Sequence, residues 1–318
     1  MSDTELRRIG GSDLYVSRLC LGGNVFGWTA DEATSFRVLD DYVAGGGNFV
    51  DTADSYSAWA EGHSGGESET VIGRWLADRG RPENLVVATK VGKHPRFPGL
   101  SAANVRAAAE ASLARLGVEA IDLYYAHFDD PDTPIAESAR AFSRLVDEGR
   151  VRAVGLSNHS PERIREWLEV CEEEGLHAPV CVQPHYNLVE RGIEADLVPL
   201  AVERGLALLP YFGLARGFLT GKYRPGGPEV DSPRASGARA YLEDPRAVRV
   251  LEALDAVAKR LGTSVAAVAL AWPAARPGVV SVLASARSTE QLAELMPAAG
   301  LVLDEESAAL LTGAFTAG

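Results

Sequence analysis

Short apolar runs recur along the chain, each followed by a longer segment whose apolar positions fall three or four residues apart. The runs are residues 18–21, 49–50, 85–89, 121–126, 151–156, 180–183, 207–210 and 279–283. Several are continuously apolar instead of alternating, the pattern of parallel strands buried on both faces. The segments between them carry helix punctuation. Ser160 suits an N-cap and Pro161 a first turn, with Ile164, Trp167, Leu168 and Cys171 on one face. Ser101 opens a helix that Gly117 ends, and Asp244-Pro245 opens another along Val248, Leu251, Leu254 and Leu261, closed by Gly262.

Strands that alternate with helices in this number predict an α/β fold of the (β/α)8 TIM-barrel type, as one domain over residues 1–318. Residues 5–16, turning at Gly10-Gly11-Ser12-Asp13, read as an N-terminal β-hairpin that closes the bottom of the barrel. A doubly wound sheet would place a glycine-rich phosphate turn directly after a strand. Here Gly45-Gly46-Gly47 precedes a strand and so ends a helix. Residues 224–240, rich in Pro, Gly, Ser and charge, read as a long loop after the seventh strand.

Charge and composition narrow the classes of function. With 44 acidic against 31 basic side chains the net charge is -13, which leaves no basic surplus for nucleic acid. Cys20, Cys171 and Cys181 lack CxxC spacing, as in a reduced, cytoplasmic protein. The polar start has no apolar leader core, and no run nears the roughly 18 apolar residues of a membrane span. His63, His94, His159, His177 and His185 lack ligand spacing, so no metal is expected. A P-loop reading of the stretch ending at Lys222 fails, because Arg216 stands where glycine is required and Tyr223 where Ser or Thr is.

Barrel enzymes carry their chemistry at the C-terminal ends of the strands. Those ends present Asp51, Lys90 and His127 after strands two, three and four, with Tyr56 shortly beyond Asp51. A phenol is a poor acid at neutral pH, and a neighbouring Lys90 ammonium is expected to lower its pKa. Asp51 would keep Lys90 charged, with an attraction of about 4 kcal/mol at 4 Å. His127 would donate to a carbonyl oxygen. A metal-dependent barrel hydrolase would instead need a His-x-His on the first strand, which is absent.

Phe49-Val-Asp-Thr-Ala-Asp-Ser-Tyr56, Ala88-Thr-Lys90 and Asp122-Leu-Tyr-Tyr-Ala-His127 resemble, in order, the three characteristic stretches of the aldo-keto reductases. Further likeness lies in the segment from Leu21 to Gly27, Gly155-Leu-Ser-Asn158, Val182-Gln-Pro184, Tyr186-Asn187, the segment from Leu214 to Tyr223, and that from Ala286 to Leu292. The Leu214–Tyr223 stretch is most similar to a branch that includes bacterial reductases, aryl-alcohol dehydrogenases and potassium-channel β subunits. The resemblance implies an NADPH-dependent reduction of aldehyde or ketone carbonyls to alcohols, with NADH an open alternative. Tyr56 would be the proton donor, tuned by Lys90 and Asp51, with His127 on the carbonyl.

It further implies that Ser157, Asn158 and Gln183 hold the carboxamide and that Tyr211 stacks on the nicotinamide. Gly213, Leu214, Gly217 and Lys222 would lie along the pyrophosphate, and Gly23, Asn24 and Asp51 would line the same channel. Ser285, Arg287, Gln291 and Glu294 would hold the adenosine part, although Ser288 and Gln291 also fit a helix capping box. Phe212-Gly213 stands where related sequences often have Ser-Pro, and Leu295 where many have Asn; Ser285 is not the long basic residue that some members use for the 2′-phosphate, which leaves Arg287 to meet it. Phe26, Trp28, Trp59 and Phe128, with Tyr56 and His127, would form the substrate pocket for an apolar or aromatic small-molecule carbonyl. The alternative is an NADP(H)-binding redox-sensing or regulatory protein with little turnover. Oligomeric state, physiological substrate and cellular reaction direction stay open.

Overall fold

The computed structural model describes residues 5–316; residues 1–4, part of the polar start, and 317–318 lie outside them. A hairpin of β1 (Arg7–Arg8) and β2 (Tyr15–Val16) leads into eight parallel barrel strands. These are β3 (Leu19–Gly22), β4 (Phe49–Asp51), β5 (Val86–Val91), β8 (Ile121–Ala126), β9 (Val151–Ser157), β10 (Cys181–Gln183), β11 (Ala207–Leu208) and β12 (Val282–Ala284). A second small hairpin, β6 (Lys93–His94) with β7 (Phe97–Pro98), stands directly after β5.

The sheet runs β11-β10-β9-β8-β5-β4-β3-β12. Its two ends meet: Leu208 N–H donates to Gly278 O (2.8 Å), Val280 N–H to Leu208 O (3.0 Å) and Leu283 N–H to Pro210 O (2.9 Å). The result is a (β/α)8 barrel. The last strand starts at Val282 instead of residue 279, since Val279 meets Leu208 only in an isolated bridge.

Helices α1 (Glu32–Ala44), α2 (Glu67–Arg79), α3 (Ala102–Leu116), α4 (Ile135–Asp147), α5 (Pro161–Glu174) and α6 (Leu197–Glu203) alternate with the strands. After β11 come α7 (Ala235–Arg239), α8 (Pro245–Leu261) and α9 (Val265–Ala274), and after β12 α10 (Thr289–Leu295) and α11 (Glu305–Thr316). The sequence-legible caps are in place: Ser101, Ser160 and Asp244 each accept a backbone N–H of the first turn, and Gly117 and Gly262 end their helices left-handed, as does Gly175 after α5. The expected loop at 224–240 holds α7, a short helix without a side-chain cap, which the turn-rich composition conceals.

Two apolar cores result. One fills the barrel, with Ile9, Leu14 and Val16 of the hairpin packed against Cys20, Phe49, Val86 and Leu123 at the strand starts, so the hairpin plugs the bottom. The other lies between the barrel and its helices and contains Trp75, Trp167, Phe142 and Trp272. The three cysteines are buried free thiols. Among the described residues no helix is long and apolar enough to cross a membrane.

Candidate active site

The top of the barrel gathers the four residues expected there. The strands end at the rim: β4 stops at Asp51, which pairs with Ala88 of neighbouring β5, and β5 continues past that pair to present Lys90. Lys90 is fully buried and Asp51 1% exposed. All three ammonium protons of Lys90 have acceptors: Asp51 Oδ2 at 2.5 Å, Thr52 O at 2.7 Å and Tyr56 Oη at 2.9 Å. The Tyr56 hydroxyl lies 3.2 Å from Asp51 Oδ2. His127 faces Tyr56 with ring centroids 6.2 Å apart, its backbone N–H held by Val91 O.

The electrostatics correct one expectation. Lys90 does not bring the phenol down; burial, and then the Asp51 carboxylate, hold Tyr56 well above its ordinary pKa. The reason is local: the ammonium is already matched by a carboxylate at 2.5 Å, and that carboxylate also faces the phenol. Tyr56 is therefore protonated at neutral pH, with the Lys90 ammonium beside its hydroxyl oxygen. Burial, and then the charges of Lys90 and Lys93, hold His127 well below its usual range, so the imidazole is neutral. Its Nδ1 is buried without a partner.

Asp51 also joins these residues to the opposite strands. Gln183 Nε2 donates to Asp51 Oδ1 (2.8 Å), and the Ser157 hydroxyl donates to Gln183 O (3.0 Å). Asn158 Nδ2 donates to Ser157 Oγ and to His127 O, both at 3.0 Å, and the Tyr211 hydroxyl donates to Asn158 Oδ1 (2.7 Å). One network thus crosses the mouth from β5 to the chain after β11.

Backbone strain is concentrated on the same rim. Among the described residues the non-glycine positions with positive φ are Ser57, Asn158, Phe212, Ala215 and Arg216, all following a barrel strand. Such conformations cost on the order of 1–3 kcal/mol each and persist where the fold over-determines them.

A cavity of about 740 Å³ opens over this network. Of the expected channel residues, Asn24, Asp51, Ser157, Asn158, Gln183, Tyr211, Gly213, Leu214, Gly217, Lys222, Ser285, Arg287 and Gln291 line it, as do Trp28, Tyr56, Trp59, His127 and Phe128. A Cβ on Gly213 would stand 2.8 Å from both Leu270 and Val282, and Gly217 has φ +97°, so the loop after β11 needs glycine at both positions to run this close to the wall.

Three expected residues fall elsewhere. Phe26 is fully buried in the outer core, and Val25 takes its place on the cavity wall. Gly23 is buried beneath the wall, its N–H donating to Asp51 O. Glu294 is exposed on the outer side of α10 and does not line the cavity. Gln291 caps α10 by accepting the Arg287 N–H (3.0 Å), and still reaches the cavity. Ser285 donates to Asn24 Oδ1 (2.6 Å).

The structure adds lining residues that sequence reading missed, above all Arg216 and Arg234. Arg234, in the stretch expected to be plain loop, folds over the mouth and lines the same cavity as Tyr56. No spacing rule points to it. Together Arg216, Lys222, Arg234 and Arg287 bring four cations to one wall, and none forms an ion pair with a described carboxylate. In a chain of net charge -13 such a wall suits a polyanionic ligand. Among the described residues no three His, Cys, Asp or Glu side chains cluster as metal ligands would.

Comparison with known proteins agrees with this geometry. Residues 18–314 match the model of the aldo/keto reductase family. The chain is 34% identical to the uncharacterized oxidoreductase YrpG of Bacillus subtilis, covering 98% of this chain and 96% of that protein. It is 33% identical to a probable voltage-gated potassium channel subunit beta of Oryza sativa, over 94% of this chain and 92% of that one. It is likewise 33% identical to the aldo-keto reductase YhdN of Bacillus subtilis, over 90% and 84%.

Proposed function

The chain belongs to the aldo/keto reductase family, and from that premise we propose that it reduces aldehyde or ketone carbonyls to alcohols with NADPH. The observation that carries this reading is that a protonated, ammonium-backed phenol and a wall of unpaired cations share one cavity. The cations suit the phosphates of a dinucleotide, and the glycines at 213 and 217 suit close approach of its backbone. When bound, the nicotinamide supplies the hydride.

The chain's own residues do the rest. Tyr56 gives its proton to the carbonyl oxygen as that oxygen becomes an alkoxide. Lys90 Nζ, 2.9 Å from the phenol oxygen, stabilises the phenolate that remains, and Asp51 fixes Lys90. Neutral His127, with Nδ1 turned into the protein, offers its other ring nitrogen to the carbonyl oxygen. The Asp51–Gln183–Ser157–Asn158–Tyr211 network holds the cofactor-facing wall in register with this acid. Arg287, with Arg234 and Lys222 beside it, favours the 2′-phosphorylated cofactor.

The likeness to a channel subunit supports a second reading, a cofactor-holding sensor with little turnover. The deciding assay follows NADPH oxidation with a panel of aldehydes for wild type and Tyr56→Phe. The expected result is turnover in the wild type and a loss of roughly 100- to 10,000-fold in the variant, with cofactor binding kept. Unchanged turnover in Tyr56→Phe sinks the mechanism, and tight cofactor binding without turnover by the wild type favours the sensor.

A further inference from the structure

Resting on carbonyl reduction as the reading of this site, we propose that the preferred substrate is a flat, aromatic aldehyde or ketone that also carries an anionic group, received by Lys93.

An arc of rings bounds the substrate side of the cavity. Trp28 meets Trp59 edge to face (5.5 Å between centroids), Trp59 meets Tyr56 (6.1 Å), Tyr56 meets His127 (6.2 Å), and His127 meets Phe128 (5.0 Å). The arc runs through the proton donor, so a planar group between these rings has its carbonyl at the acid. Trp59 and Phe128 are among the exposed large hydrophobic residues of the chain, 55% and 37% respectively, and both line the cavity. Exposed rings at a cavity mouth are binding surface more often than packing.

The arc ends on a cation. Lys93 Nζ lies 4.1 Å from the Phe128 ring centroid, and its charge is felt at His127, which places the ammonium on the reacting side of the mouth. Its backbone is pinned at the rim by the β6–β7 hairpin, where Lys93 pairs with Pro98. Among the described residues no carboxylate forms an ion pair with it, and the cavity's one lining carboxylate, Asp51, is committed to Lys90 and Gln183. A ring face satisfies none of the three ammonium donors, so they remain for an anion.

Lys93 is separate from the cation wall. In the closed strand order β5 and β8 stand opposite β11 and β12, and the four other cations come from the chain after β11 and β12. Positive charge therefore stands on both sides of the proton donor. One side matches the phosphates of a dinucleotide; the other is left for the substrate.

The test uses a matched pair, 4-formylbenzoate and its methyl ester, which differ in charge at the end remote from the aldehyde. The quantity read is the carboxylate-to-ester ratio of kcat/KM at low ionic strength, in wild type, Lys93→Met and Lys93→Glu. Lys93 is exposed, so both variants keep the fold. The ratio is expected to fall about fivefold in Lys93→Met, further in Lys93→Glu, and the difference to shrink as salt screens it. A ratio equal in all three proteins overturns the inference while ester reduction still upholds the carbonyl reductase. Failure of the wild type to reduce either compound overturns both.

Discussion

The two sides of the barrel mouth solve opposite problems. On the β4–β5 side Asp51 and Lys90 are buried, Tyr56 is partly buried, and the three are bonded to one another, with every ammonium proton of Lys90 placed. On the β11–β12 side Arg216, Lys222, Arg234 and Arg287 form no ion pair with a described carboxylate. The difference follows from what each side has to do. An acid works only if its geometry is fixed before the substrate arrives, so its hydrogen bonds are made within the protein. A grip on an anion works only if its donors are still unspent, so the protein tolerates the cost of partly desolvated cations until a ligand offsets it. Burial already lowers the pKa of Arg234 and of Lys222, the mark of that cost.

The saturated side is the place for the largest effect. Asp51→Ala leaves Lys90 buried without its counter-charge, so it is expected to lower stability by about 3–5 kcal/mol, besides abolishing reduction. Denaturant unfolding measures this, and an unchanged midpoint means the pair is not the internal compensation described here. On the opposite wall the expected effect is on binding alone. Arg287→Ala or Arg234→Ala should weaken NADPH about tenfold with a smaller change in kcat, read by fluorescence titration, and should flatten the salt dependence of affinity. If Arg287→Ala leaves the preference for NADPH over NADH intact, the 2′-phosphate contact lies elsewhere on the wall.

Subtler effects test how complete the contrast is. Because His127 stays neutral well below its ordinary range, kcat/KM for reduction should show no inflection near pH 6.5. A loss of activity through that pH that vanishes in His127→Gln contradicts the assignment. The saturated side also has one gap behind it. Asp54 is fully buried, neither carboxyl oxygen has a partner, and burial followed by the charge of Glu69 pushes its pKa up to about 8.

A carboxyl raised in the folded state binds more protons than the unfolded chain between about pH 4 and 8, so its contribution to stability is complete below that window and lost as pH rises through it. Asp54→Asn removes this loss. Its melting temperature should match wild type near pH 4 and exceed it by several degrees at pH 8. A constant gap across that range means Asp54 does not titrate in the folded state.

Much of the barrel was legible because its cause is local. Buried parallel strands need continuous apolar runs, and helices need caps such as Ser101, Ser160 and Asp244, which act through their immediate neighbours. The strand ends then brought out Asp51, Lys90 and His127, since the strands end at the rim. Legibility failed where the chain leaves regular period. Between β3 and α1 no repeat says which of Val25 and Phe26 faces the cavity, and the structure chooses Val25. In α10 Glu294 turns outward although Gln291, one turn earlier, turns in.

By itself, then, the sequence determined the alternation of strand and helix, the order of the acid, the ammonium and the imidazole along it, and the likeness to a family. Only the tertiary structure decided the sign of the shift on Tyr56, because it turns on Asp51 lying at 2.5 Å from Lys90 and 3.2 Å from the phenol at once. Only it brought Arg234 over the mouth and set Lys93 opposite the other cations. Local propensity acts over a few neighbouring residues, whereas electrostatic environment depends on distances between parts of the chain that meet when the barrel closes.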